Sequence, residues 1–284
     1  MASDAMLAYA AVFFESFRRY NPTLPLWVIP YDTCDKIAPL AKRYGARMVK
    51  RDFRDFDAWA ATLFDRPIFY GLIDISRRLR KFAAFESAAS EFMYIDLDSI
   101  VLSSLDPLFG FVASGQAQLL YTLGGGDWVY NSHGATEPPP GERFADGLFV
   151  TSSLYLNLAQ IRRTVAEDEA LYKAVRRAEL ISQPLLNFVC HRRGMRLVSA
   201  GKLGVAAIDV NIGETETASM ARTVDGDIRT GEGQAILRAH WAGPDKYRGQ
   251  IAHRDLVDEF IADAIKSGRL LEREAAALSF SIGA

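Results

Sequence analysis

Cysteine is nearly absent: the 284 residues hold two, Cys34 and Cys190. Two thiols so far apart make no disulfide framework, and without a C-x-x-C pair they offer neither a zinc knuckle nor a dithiol redox motif. A reduced, cytoplasmic setting is the expectation. No apolar run reaches the roughly 18 residues of a membrane-spanning helix. The first residues lack the basic-then-apolar layout of a secretory leader. Neither sign of charge dominates: Lys and Arg number 33 against 35 Asp and Glu, a formal charge of −2. That balance gives no footprint for nucleic acid or an acidic membrane surface. The one concentrated basic run is Arg77-Arg78-Leu79-Arg80-Lys81. No internal repeat and no clean linker divide the chain.

What is present is ordinary globular composition, 49% hydrophobic and 24% charged, long enough for a sizeable core. The first 50 residues alternate helix and strand. Asp4 is placed to cap a helix running to about Tyr20, which Asn21-Pro22 ends. Leu26 to Ile29 reads as a short buried strand. Ile37, Leu40, Ala41 and Tyr44 keep the spacing of an amphipathic helix stopped by Gly45, and Ala46 to Val49 is a second strand. Such alternation predicts a mostly parallel sheet covered by helices. Its usual first strand is missing or a stub, because Met1-Ala2-Ser3 leads almost directly into the first helix; a truncated start would have the same effect. Further on, helix is expected over Ile75 to Ser87, over most of Leu158 to Ala178, and in two pieces broken at Gly268 between His253 and Leu278. Strands are expected at Ala117–Thr122, Phe149–Val150 and Arg196–Ser199. Gly124 to Gly141 is the longest irregular stretch, and loops of that length inside a compact domain are usually functional or disordered.

The chemistry concentrates in "EFMYIDLDSIVLSSLDPLF", residues 91 to 109. An apolar strand runs straight into Asp96-Leu97-Asp98, and two carboxylates there need a partner, since a lone buried charge costs several kcal/mol. Ligands of open α/β sheets bind beyond the carboxyl ends of strands. Two hard oxygen donors suit Mg²⁺ or Mn²⁺, which commonly take diphosphate oxygens as well. A pair of capping aspartates would give the same dipeptide.

The wider pattern resembles the GT-A glycosyltransferases, especially the glycosyltransferase family 8 group and its bacterial relatives. Their D-x-D is followed by an apolar stretch and L-x-x-L-[FW], which Leu105-Asp106-Pro107-Leu108-Phe109 matches. An Arg-Leu pair on the preceding helix is answered by Arg78-Leu79. A D-Q-x-x-L-N helix start is answered by Ser182-Gln183-Pro184-Leu185-Leu186-Asn187, and H-[FWY]-x-G-x-x-K by His240-Trp241-Ala242-Gly243-Pro244-Asp245-Lys246. The resemblance implies a single GT-A domain over residues 1–284: a nucleotide-binding half (1–110), an acceptor and sugar half (111–250) and C-terminal helices (251–284). It implies Asp96, Asp98 and His240 as metal ligands and Lys246 on the diphosphate, with Gly243 allowing close backbone approach. Arg78 and Lys81 would add positive charge near phosphate or sugar, and Asp4 would sit at the base or ribose. Gln183 and Asp146 would be the catalytic-centre residues.

Two departures bear on the sugar. The family's aspartate before Gln183 is Ser182, and its F-N-x-G strand pattern becomes Phe144-Ala145-Asp146-Gly147, so an asparagine is lost and an acid appears one residue later. The function implied is transfer of a sugar from a nucleotide diphosphate donor, uridine-based by resemblance, to a hydroxyl of a glycan, lipid or small-molecule acceptor, with retained configuration. Two alternatives stay open: a non-catalytic nucleotide-sugar binder, and a haloacid-dehalogenase-type phosphatase, whose strand also ends in D-x-D. Each residue also has a plain reading, as cap, solvated helix face or packed histidine.

Overall fold

The computed structural model describes residues 2–63, 69–70, 73–87, 89–122, 143–177, 182–204, 206–209, 220–223, 227–230, 233–241 and 253–278. They form two compact units, each interleaved along the chain: Met1–Val49, Asp96–Asp106 and Gly204–Ala284 make the first, Lys50–Ile95 and Pro107–Leu203 the second.

The first unit is organised by the helix Leu7–Tyr20, in which every residue from Ala8 to Phe17 is buried. A helix apolar nearly all round belongs in a core rather than on a surface. It packs with Ile100, Leu102, Ile236, Trp241 and the helix Arg254–Lys266 in one cluster. The Ser16 hydroxyl donates to the Phe13 carbonyl at 3.0 Å and accepts from the Val101 N–H at 3.1 Å, tying this helix to the strand Ser99–Val101. That strand is an edge of a three-stranded sheet ordered Ala206–Asp209, Ile236–His240, Ser99–Val101. Trp27–Val28 and Arg47–Met48 form a separate parallel pair. Ala2 adds one parallel bridge to Pro30, donating to the Ile29 carbonyl at 3.0 Å and accepting from Tyr31 at 2.7 Å. That single bridge is the strand pairing found ahead of the first helix among the described residues.

The second unit is built on a four-stranded sheet ordered Glu91–Ile95, Leu148–Ser152, Leu119–Tyr121, Leu197–Ser199. An aromatic cluster fills one side: Phe85 meets Phe92 edge-on at 5.1 Å and stacks on Phe149 at 5.6 Å, and Phe149 stacks on Tyr94 at 5.5 Å. Asn157 and Gln160 close a reciprocal capping box on the helix Leu158–Glu167. A second helix, Glu169–Arg177, follows after a break at Asp168.

Three expectations need correction. The sheets are mixed rather than mostly parallel: Glu91–Ile95 and Leu119–Tyr121 both pair antiparallel with Leu148–Ser152, and Ile236–His240 is parallel to Ala206–Asp209 but antiparallel to Ser99–Val101. Strict helix–strand alternation, which enforces parallel pairing, covers only the first 50 residues. The segment Ile75–Glu86 takes the tighter 3-10 form rather than an α-helix. Asp4 does not cap its own helix. Its Oδ1 accepts from the Lys36 and Ile37 N–H groups at 2.9 and 3.1 Å, capping Ile37–Arg43 instead. A 3-10 turn, Asp4–Met6, precedes Leu7 and turns the Asp4 carboxylate away from the first helix.

Candidate functional site

The strand Glu91–Ile95 ends where the chain leaves the second unit, so Asp96 is the first residue of the 96–106 passage through the first. The bend Asp96-Leu97-Asp98 leads into Ser99–Val101, whose antiparallel register sets Ser99 opposite His240. One further rung, from the Trp241 N–H to the Asp98 carbonyl at 3.0 Å, locks Asp98 beside the end of the histidine strand. Trp241 is itself held in the core, its ring 6.2 Å from that of Tyr9. The backbone thereby fixes two side chains that are distant in sequence. His240 Nε2 lies 3.3 Å from Asp98 Oδ1 and 3.9 Å from Asp96 Oδ2.

Asp98 and His240 are 7% and 8% exposed, and Asp96 is half-buried. Donor atoms of the three residues all lie within 4.8 Å of one another. Ligands about 2.1 Å from a shared ion lie no more than about 4.2 Å apart, so the set closes on one ion with small side-chain adjustment. Two carboxylates and a neutral imidazole fit a divalent cation and leave further coordination positions for other oxygens. A histidine merely packed on Trp241, out of reach of the aspartates, is not what is found.

A second cluster forms in the other unit. Asn187, fully buried on the helix Ser182–Arg192, accepts from the Phe144 N–H at 3.0 Å and donates to the Phe144 and Gln183 carbonyls at 2.8 and 2.9 Å. This clamp holds the 144–147 segment against the helix start. Asp146 is thereby set beside Gln183, its N–H donating to Gln183 Oε1 at 3.3 Å. Lys81 reaches the same place from the 3-10 helix, its Nζ 2.8 Å from Asp146 Oδ2 and 4.8 Å from the centre of the Tyr94 ring. Lys81 and Asp146 are only 3% and 6% exposed. Because a backbone N–H can only donate, it pins the Gln183 amide with its oxygen toward Asp146. The buried Gln183 Nε2 has no partner among the described residues.

Asp4 stands in the first unit, engaged as a helix cap, and Arg78 is half-buried on the 3-10 helix of the second. Gly243, Lys246 and the Gly124–Gly141 loop lie outside the described residues. Sequence reasoning missed two residues. Asn187 stood inside a quoted motif without a role. Arg238, fully buried two positions before His240 on the same face of its strand, brings NH1 within 3.5 Å of Ser99 Oγ. The signal for Arg238 was legible, since an arginine inside the apolar run Ala235-Ile236-Leu237-Arg238-Ala239 needs a reason.

No protein-family model matches the chain, and no curated protein sequence does. Solved structures do. An active-site mutant of LgtC aligns over 92% of this chain and 94% of its own, with 16% identity and a TM-score of 0.60. The galactosyltransferase LgtC in complex with donor and acceptor sugar analogues aligns over 98% of both chains, with 18% identity and a TM-score of 0.59. Mouse xyloside xylosyltransferase 1 covers 84% of this chain and 92% of its own, at 11% identity and a TM-score of 0.52. The fold is of the GT-A glycosyltransferase type.

Proposed function

We propose that the protein is a metal-dependent glycosyltransferase that moves a sugar from a nucleotide diphosphate donor, a UDP-sugar, to an acceptor hydroxyl with retention of configuration. The observation that carries the proposal is the meeting of Asp96, Asp98 and His240 at ligand distance. In this reading the three hold Mn²⁺ or Mg²⁺, with Lys246 and Gly243 at the diphosphate, Arg78 adding positive charge and Asp4 at the base or ribose. A bound divalent ion supplies charge neutralisation for the departing diphosphate.

The chain's own residues do the rest. Lys81 compensates the buried Asp146 carboxylate, and Asp146 fixes the Gln183 amide. Gln183 then presents its NH₂ as a preformed donor for an oxygen of the sugar. During transfer the bond from the anomeric carbon to the diphosphate oxygen breaks and one to the acceptor oxygen forms on the same face. The acceptor proton leaves with the diphosphate oxygen, so no dedicated base is required.

The test is a thermal-shift screen of UDP-glucose, UDP-galactose and UDP-N-acetylglucosamine with Mn²⁺ or with EDTA. Ligand at 100 times its Kd stabilises by about 2.7 kcal/mol. The expected result is stabilisation by at least one donor in Mn²⁺ only, lost in Asp96→Asn and Asp98→Asn. A donor shift unchanged in both variants overturns the metal assignment. Donor binding with neither transfer nor hydrolysis would instead mark a nucleotide-sugar binder, in line with the Ser182 and Ala145 departures.

A further inference from the structure

At the amino ends of the parallel strands Trp27–Val28 and Arg47–Met48 lies a cavity of about 590 Å³, within the size range of small-molecule sites. It shares no residue with the Asp96–Asp98–His240 cluster. Its lining includes Trp27, Tyr44 and four arginines, Arg18, Arg43, Arg47 and Arg269, and it contains no carboxylate.

Two of those guanidiniums are neutralised from outside the lining, Arg43 by Glu274 at 2.7 Å and Arg269 by Glu15 at 2.9 Å. The other two have no carboxylate partner among the described residues. Arg18 donates to the carbonyls of Tyr44 at 2.7 Å, Leu24 at 2.6 Å, Asn21 at 3.2 Å and Gly45 at 3.4 Å, which fixes the two walls of the cavity and gives its charge no acidic partner among the described residues. Arg47 has no acidic partner among the described residues; its guanidinium lies 5.4 Å from the centre of the Trp27 ring. Trp27 is 55% exposed, unusual for so large an apolar side chain.

We infer that this cavity binds a ring compound carrying a phosphate monoester, with the ring against Trp27 and the phosphate at Arg47 and Arg18. Charge selects the class. A phosphate monoester carries about −1.5 to −2 at neutral pH, which matches two guanidiniums that have no acidic partner among the described residues, where a carboxylate would leave one over. Arginine forks suit phosphate oxygens, and an exposed indole offers a face on which a sugar or a base can lie. Concavity favours a small ligand over a flat membrane. The inference stands whether or not sugar transfer is confirmed, because the cavity and the metal cluster have no residue in common.

Isothermal titration of the full chain in EDTA tests it with glucose 6-phosphate, AMP, glucose and inorganic phosphate as probes. One of the two phosphate monoesters should bind about tenfold more tightly than inorganic phosphate, and glucose should not bind; the tighter of the two separates a sugar phosphate from a nucleotide. Arg47→Met and Trp27→Ala, both at exposed positions, should each weaken it about tenfold. Affinity should also fall below about pH 6 as the phosphate dianion takes up a proton and becomes a monoanion. Asp98→Asn should leave it unchanged. Absence of binding at millimolar concentration, or affinities unaffected by both cavity variants, overturns the site. Inorganic phosphate binding as tightly as either ester removes the ring contact and overturns the ligand class. Binding to anionic phospholipid vesicles that depends on Trp27 and Arg47, with no soluble probe bound, overturns it in favour of a membrane contact.

Discussion

The buried pair Lys81–Asp146 gives the sharpest test of whether the second cluster exists for function or for stability. At 2.8 Å, with both residues more than nine-tenths buried, each is the other's main charge compensation. Removing one partner strands a charge in a low-dielectric site, which costs about 3–5 kcal/mol. Lys81→Met, which keeps the side-chain length, should therefore lower the melting temperature by roughly 10 °C. Asp146→Leu should do the same by stranding the ammonium, although the Tyr94 ring 4.8 Å away softens that loss. The double variant Lys81→Met/Asp146→Leu removes both charges, and replacing a buried pair by apolar side chains is often neutral or stabilising. It should return to within about 1 kcal/mol of the parent. Thermal and urea unfolding of the four proteins yield the coupling energy directly. Sugar transfer from the donor identified by the screen is then measured on the same four. The expected result is a stable but inactive double variant, with the pair maintained for the chemistry around Gln183. A double variant as active as the parent would refute the assignment of Asp146 and Lys81 to the sugar site. One as unstable as the worse single variant would refute the electrostatic reasoning itself.

Other outcomes follow from single contacts. Asp4→Ala should cost about 1 kcal/mol by uncapping Ile37–Arg43 and should weaken UDP binding in calorimetry; a stability loss with unchanged UDP affinity reduces Asp4 to a cap. Asn187→Ala leaves the buried Phe144 N–H and carbonyl without their partner and should destabilise by about 3 kcal/mol or more, read from the urea midpoint; a loss under about 1 kcal/mol would mean the clamp is replaceable. Gln183→Glu replaces the free NH₂ with a carboxylate oxygen and should abolish transfer while Mn²⁺ binding persists, whereas retained activity would show that no donor is needed there. Burial, with the Asp4 carboxylate nearby, pushes the Cys34 thiol up to about 11. The neutral thiol's contribution to stability is therefore present below the usual thiol pKa of about 8.5 and is lost as pH rises toward 11. Alkylation of Cys34 by iodoacetamide should be slow at pH 8 and rise with a midpoint near that value; a midpoint near 8.5 would contradict it.

The cluster of Asp96, Asp98 and His240 was legible in the sequence because a motif stood at each end of it, but periodicity alone could not have joined Asp98 to His240. That contact depends on a strand register between segments far apart in the chain, and register is set by tertiary packing rather than by either segment. The same limit explains the sheet. Local alternation near the start was read correctly as parallel pairing at Trp27–Val28 and Arg47–Met48, while the pairing of Glu91–Ile95 with Leu148–Ser152 leaves no local trace. Asp4 was visible as a capping residue and assigned to the wrong helix, since a side chain of that type caps whichever helix start the fold brings to it.

The departures at Ser182 and Ala145 carry this reasoning furthest. In the sequence they are two separate losses, a carboxylate before Gln183 and an asparagine before Asp146. In the fold they concern one place, because the Asp146 N–H is bonded to Gln183 and the Asn187 clamp holds both segments together. An acid missing at 182 and an acid present at 146 leave the number of carboxylates around Gln183 unchanged while moving the charge from the helix start to the strand side, where Lys81 meets it. If the proposed function holds, a sugar site altered in this way keeps its capacity to orient Gln183. On that reading it would change which sugar hydroxyls find an acceptor, and the donor screen should therefore be read first for the configuration of the sugar.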